Sequence, residues 1–496
     1  MKAKMLARGG KLMPKKRRTT WEALFAHTVL FIGLSFCTLA LAYAWHRDLL
    51  FAPHFSKYTI SLSVGFFACG LALFCRESWK MNLALITVST GITVYAVETA
   101  LALAGFETDD RVFAARLAGV KFDTRLKFDV VRDLRASGED AVPSLTPGLW
   151  TQSNGFLVGG RHIFPLSGIS AKTTVFCNES GTYSVYMSDE HGFNNPRGLY
   201  QFGGSDAVVI GDSFAQGFCV RPGEDIAGQL RNRSIRALNL AMAGSGPLIE
   251  LAILTEYASV LRPKTVLWVY FEGNDQTNLL KEQTVPFLRR YLDDNFSQGL
   301  FDRQMEMDED VLTPFLTEAE TRERDKDQPQ NATMRDTVVA RILRLYHLRT
   351  RLALNTPPPA PPSPVPSLLF RTILAKAKDR VSAWGGQFFF VYLTDFTRYS
   401  TNPANHDQLY HRGEVLAIVK DLNIPLIDFH EVLGKQPDPL TVFPFRLHSH
   451  YNAEGYRLLA DSIAERLSRD VLLHASFRAG LPARQAHRDP LLRGAH

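Results

Sequence analysis

Gly211-Asp212-Ser213 follows directly on the apolar run Ala207-Val208-Val209-Ile210. A serine hydroxyl is a weak nucleophile until a base takes its proton and donors receive the charge that develops on the attacked oxygen. A buried strand ending in Gly-Asp-Ser holds that hydroxyl, and the N–H groups after it, at the carboxyl edge of a sheet, where open α/β folds keep their ligands. Three later segments supply the remaining parts. The run from Asn239 to Pro247 contains Gly244, whose missing side chain lets the loop approach the nucleophile and present its N–H. Val269-Tyr270-Phe271 leads into Glu272-Gly273-Asn274-Asp275, and an asparagine at a strand's end aims its amide into the same space. His450 opens His450-Tyr451-Asn452-Ala453-Glu454-Gly455-Tyr456 ahead of a closing helix, and an imidazole there can accept and return a proton.

Each segment also has a plainer reading. Serine after aspartate is an ordinary helix cap, Gly-Ser-Gly-Pro an ordinary turn, and Asn-Asp an Asx-turn. His448 and His450, two apart, could chelate a metal, but no acid or cysteine stands near them at ligand spacing. No metal and no cofactor is expected.

In their order along the chain the four segments resemble the blocks of the SGNH (GDSL-type) hydrolases. The resemblance covers about residues 205–470. It implies Ser213 as nucleophile, His450 as base, and an oxyanion hole made by Ser213, Gly244 and Asn274. The family's last block places an acid three residues before the histidine; here that position is Leu447, which cannot orient an imidazole. Four possibilities stand: His448 takes the role, Asp428 reaches in from another strand end, a backbone carbonyl serves, or the site is degenerate.

The elements that must position these residues alternate between strand and helix. Strands are expected at Ala207–Gly211, Ile235–Leu240, Thr265–Phe271, Gln387–Leu393 and Pro425–Asp428, with helices between and a closing amphipathic helix at Asn452–Ser468. Short apolar runs separated by helices mean a parallel sheet covered on both faces. The fold class is therefore α/β, a flavodoxin-like three-layer sandwich of the SGNH-hydrolase kind, preceded by transmembrane helices. A leader of strands and loops occupies 107–204, and the catalytic domain 205–470 carries an insert at 276–367. That insert holds a helix near 337–352 and seven prolines within 356–366. It reads as a lid, an acceptor-binding arm or a tolerated surface insertion.

Before the leader come a basic tail (1–20) and three apolar runs (within 21–106), interrupted only by Glu22 and Glu98. The runs have lengths that span a bilayer, the second at the short end. Glu98 belongs near an interface, since a carboxylate at the midplane is costly. Lysines and arginines before the first run mark a cytoplasmic start, so three crossings leave the catalytic domain outside the cytoplasm. The expected location is a bacterial inner membrane, multi-pass, with a periplasmic catalytic domain. Cys177 and Cys219, alone among the five cysteines, lie in the soluble part. They either bridge, tethering the leader to the loop after Ser213, or remain two unpaired cysteines. The net charge of +6 comes mostly from the amino terminus and a basic tail at 471–496; no nucleic-acid motif accompanies it, and no nucleic-acid partner is expected.

A serine centre beside a membrane suits acylated cell-envelope glycan or lipid. An esterase or O-deacetylase is the first reading. An O-acyltransferase, served by a separate membrane partner that donates the acyl group, is the second. A glycan-binding assembly factor without catalysis is the third.

Overall fold

The structure is a computed structural model and describes residues 20–46, 56–104, 109–201, 205–327, 338–352, 363–400 and 406–479. Most of the basic amino-terminal tail, most of the basic carboxyl-terminal tail and the first part of the proline-rich stretch lie outside these residues. The chain packs as two units, Met1–Thr108 with Gln330–Ala360, and Asp109–Pro329 with Pro361–His496.

In the first unit, helices α1 (Thr20–His46), α2 (Ser56–Ala72) and α3 (Glu77–Leu103) pack together. Two of them, α1 and α3, are long and apolar enough to cross a membrane, whereas α2 is a shorter apolar helix of 17 residues. At 1.5 Å per residue a 27-residue helix is about 40 Å long, more than the ~30 Å hydrocarbon layer. Large apolar side chains such as Phe31, Phe36, Ile86 and Ile92 face outward. The segment after residue 337 forms two short helices, Val338–Leu343 and Tyr346–Arg351, against α3. Sequence suggested one helix there; the break falls at Leu345, whose φ is +52°.

The second unit is built on five parallel strands: β1 (Ala207–Gly211), β2 (Ala237–Asn239), β3 (Thr265–Phe271), β4 (Gln387–Leu393) and β5 (Leu426–Asp428). Their order is β5-β4-β3-β1-β2, and every neighbouring pair is parallel. Alternation along each strand fills two cores. Val208 and Ile210 of β1, with Val266, Trp268 and Tyr270 of β3, enter the core under the helices Pro247–Ile253 and Leu368–Ala383. Val209, Leu267 and Val269 face the other side, under the closing helix Ala453–Ala479. The result is a three-layer α/β sandwich. The order reverses direction between β1 and β3, which opens a crevice at their carboxyl ends.

The leader is part of this unit's core. Val142, Trp150, Ile163 and Phe193 join the same buried cluster as β1 and β3. Its small sheet pairs Ala141–Pro143 with Thr173–Val175 in parallel and the latter with Val185–Met187 antiparallel. The insert divides: Phe287, Tyr291, Leu300 and Leu312 are buried in the main core, while residues 338–352 belong to the first unit.

Candidate active site

Strand β1 delivers Ser213 because its last residue is glycine. A Cβ on Gly211 would lie 2.7 Å from the Val269 carbonyl of β3, so the chain turns there only without a side chain. Asp212 then caps the short helix Ser213–Gln216, accepting from Phe214 N–H at 2.8 Å. As the first residue of a helix, Ser213 has an N–H with no intrahelical acceptor.

Ser213 Oγ lies 2.9 Å from His450 Nε2 and 3.4 Å from Asp212 Oδ2. The imidazole packs against two aromatic rings, Phe214 with centroids 4.5 Å apart and Phe218 at 4.3 Å. Its other nitrogen, Nδ1, faces the Glu179 carboxylate at 3.2 and 3.3 Å, and its backbone N–H donates to Glu179 Oε2 at 2.9 Å. An ionised carboxylate only accepts, so the proton of neutral His450 resides on Nδ1 and Nε2 is free to accept from the serine. Serine, histidine and glutamate thus stand in one hydrogen-bonded series.

Glu179 is buried, with its side chain 7% exposed. Burial raises its pKa, but the hydrogen bond and charge of His450, with Arg111 3.3 Å away, carry the net shift below the ordinary glutamate value. A depressed carboxyl contributes stability above its unfolded pKa and loses it as pH falls through the folded value. Two residues before Glu179, Cys177 is joined in a disulfide to Cys219, with Cα atoms 5.0 Å apart. Cys219 follows Phe218, one of the rings on the imidazole. The bridge therefore ties the acid's loop to the histidine's wall.

Gly244 sits at φ +75°, a conformation that favours glycine. Two clamps fix its loop. Ala243 N–H donates to Gln216 Oε1 at 2.7 Å, linking it to the helix that begins at Ser213. On the far side, Gly246, Leu248 and Ile249 donate their N–H groups to Glu282. Burial pushes that carboxyl up to about 7 against the pull of these donors. Gly244 N–H itself has no acceptor among the described residues. Asn274 donates one side-chain N–H to Asp212 Oδ2 at 3.1 Å, and its amide carries a second. All of these residues lie at one edge of the sheet.

Two sequence expectations need correction. His448 does not orient His450: its Nε2 lies 3.4 Å from Asp395 Oδ2, and its side chain is 67% exposed. The hydrogen bond to Asp395 raises its pKa. Asp428 does not reach His450 either. It caps the next helix by accepting from His430 N–H at 3.0 Å and pairs with Arg412. The carboxylate that meets His450 Nδ1 is that of Glu179, from the leader. Its one sequence signal was Cys177, because the bridge to Cys219 carries the residues after Cys177 toward the serine loop. With His448 and His450 turned to different carboxylates, they do not form a chelating pair, and no metal-binding cluster exists among the described residues.

A cavity of about 310 Å³ opens beside Glu179, lined by Thr182, Tyr183, Phe218, Arg221 and Asn452. Another, of about 280 Å³, lies at the opposite, amino-terminal end of β2, against Arg231, Ile235 and Arg236.

No protein-family model and no curated protein matches the chain. Similar solved structures include the lipase/acylhydrolase from Enterococcus faecalis, 12% identical, covering 53% of this chain and 94% of that one, with a TM-score of 0.29. A GDSL-like lipase from Bacteroides thetaiotaomicron is 10% identical over 53% of this chain and 88% of that one, at 0.27. The psychrotrophic esterase EstA from Pseudoalteromonas sp. is 14% identical over 54% and 98%, at 0.25. In this chain a serine follows β1, a glycine loop follows β2, an asparagine follows β3 and a histidine precedes the closing helix.

Proposed function

We propose that this protein is a membrane-anchored serine esterase of the SGNH kind, acting on acylated glycan or lipid of the bacterial cell envelope. The observation that carries the reading is the hydrogen-bonded series Ser213–His450–Glu179 at the carboxyl edge of the sheet. His450 Nε2 takes the Ser213 proton as Oγ attacks the ester carbonyl. The N–H groups of Ser213 and Gly244 and the Asn274 amide receive the oxyanion. Glu179 stabilises the imidazolium and keeps Nδ1 protonated. His450 returns its proton to the leaving alkoxide, which departs and leaves an acyl group on Ser213. Water, activated by the same imidazole, then releases the acid. A sugar hydroxyl in place of water would make the protein an O-acyltransferase with the same residues in the same roles. That version requires a membrane partner to supply the acyl donor.

The location belongs to the same proposal. The basic start, α1 and α3 as crossings and α2 as a short third one leave the sheet domain in the periplasm, and the Cys177–Cys219 bridge suits an oxidising compartment. A phosphatase fused after residue 120 is expected to be active in the periplasm; a stable but inactive fusion contradicts the topology. For the chemistry, a fluorophosphonate probe should label the detergent-solubilised protein and fail to label Ser213→Ala. Well-folded protein that takes no label contradicts the esterase reading.

A further inference from the structure

Glu98 lies on α3, a helix apolar enough to cross a membrane, yet its carboxylate is fully buried. Its partners come from the insert. His347 donates its backbone N–H at 3.0 Å and shares its Nδ1 at 2.8 Å, and Leu348 donates its N–H at 2.7 Å. One turn earlier on α3, Tyr95 donates its hydroxyl to the Leu343 carbonyl at 3.2 Å. A carboxylate left in hydrocarbon is costly, so a segment that satisfies it with three hydrogen bonds is held against α3 wherever α3 sits. Glu98 is five residues from Leu103, the helix end, or about 8 Å along the axis, which is the depth of a membrane interface.

The segment so held has the composition of an interfacial helix. Residues 338–352 contain Arg341, Arg344, Arg349 and Arg351 and no acid. Val339, Leu343 and Leu352 are 65%, 64% and 60% exposed. Water is a poor neighbour for that apolar surface, and hydrocarbon is a poor one for four guanidinium groups. The boundary between them accommodates both, with apolar side chains among acyl chains and guanidiniums on phosphates. On α3 itself an open apolar groove runs past Ile92, Tyr95 and Thr99 to Leu103.

We propose that residues 338–352 form a membrane-docking helix pair that binds the anionic phospholipid headgroups of the leaflet at the Leu103 end of α3. The inference rests on the membrane reading of α1 and α3, not on the esterase reading. By connectivity, the chain leaves the sheet unit after Pro329 and returns at Pro361, so this pair is a second tether between catalytic unit and bilayer, in addition to the one at Leu103.

The full-length protein, with Cys37, Cys69 and Cys75 replaced by alanine and Leu343→Cys carrying a bimane, tests this in vesicles. One set is phosphatidylcholine alone; the other mixes it equally with phosphatidylglycerol. The label should be quenched by brominated lipid and shielded from aqueous iodide, most fully in the mixed vesicles. Phosphatidylglycerol retained by the purified protein should fall about fivefold for each arginine changed to glutamine, and the four-lysine counterpart should keep it. A protein that floats with the vesicles while its label stays open to iodide overturns the proposal and leaves the anchor intact. Unchanged lipid retention in the four-glutamine variant overturns it as well. A protein that never enters the vesicles overturns the anchor and the proposal together.

Discussion

Two buried glutamates in this chain are bonded in nearly the same way. Glu179 accepts from the ring and backbone N–H of His450; Glu98 accepts from the ring and backbone N–H of His347 and from Leu348. The difference lies beyond the imidazole. His450 turns its second nitrogen to Ser213 at 2.9 Å, just beyond the carboxyl end of β1. His347 belongs to a short helix seated on α3, and its pairing fastens one segment to another. A carboxylate–histidine pair is thus a docking device or part of a catalytic centre according to what the far nitrogen meets. Burial and hydrogen bonding alone do not tell the two apart.

The largest effects should come from breaking the catalytic side of this comparison. Ser213→Ala and His450→Ala are each expected to lower esterase kcat by about 10⁶, and the double variant by little more, because the two act as one unit. Clearly multiplicative losses in steady-state kinetics would mean that they do not. Asn274→Ala should cost roughly 10²–10³ in kcat with KM little changed, since it removes one of three donors to the oxyanion. An unaltered kcat would remove Asn274 from the oxyanion hole. Cys177→Ser probes how Glu179 is held. Denaturant titration should show a loss of about 2–5 kcal/mol, the range for native disulfides in small domains and hence an upper guide here. The folded variant should also lose activity, because the bridge ties the Glu179 loop to Phe218. Full activity would show that the loop keeps its place unaided. The smallest effects belong to the corrected residues. His448→Ala and Asp428→Asn should each stay within about twofold of wild-type kcat/KM, because neither side chain meets His450.

The sheet and its four chemical segments were legible because each segment follows or precedes an element with a strong apolar signature. β1, β3 and β4 have the bounds that their apolar runs suggested. Glu179 was not legible in the same way. It lies in a loop between two three-residue strands, with no apolar run to announce it, and its closeness to His450 depends on a contact 271 residues away in sequence. The search for an acid at strand ends pointed to Asp428, which the Arg412 guanidinium already holds. Glu98 was placed near an interface by cost alone; what satisfies it, about 250 residues later, has no local signal. The helix at 337–352 was read as unbroken because no glycine or proline interrupts it, and nothing local showed that the insert's two parts pack in different units.

The central claim is that Glu179, and not a residue near His450 in sequence, completes the serine centre. The measurement is kcat/KM of Glu179→Gln on a small activated ester, beside Glu98→Gln in the same membranes. Glutamine keeps the shape but can present an amide donor to Nδ1, leaving the imidazole in the wrong tautomer. The account predicts a fall of about 10⁴ for Glu179→Gln, as for a triad aspartate changed to asparagine, with Glu98→Gln close to wild type. A Glu179→Gln enzyme within a few-fold of wild type would contradict it.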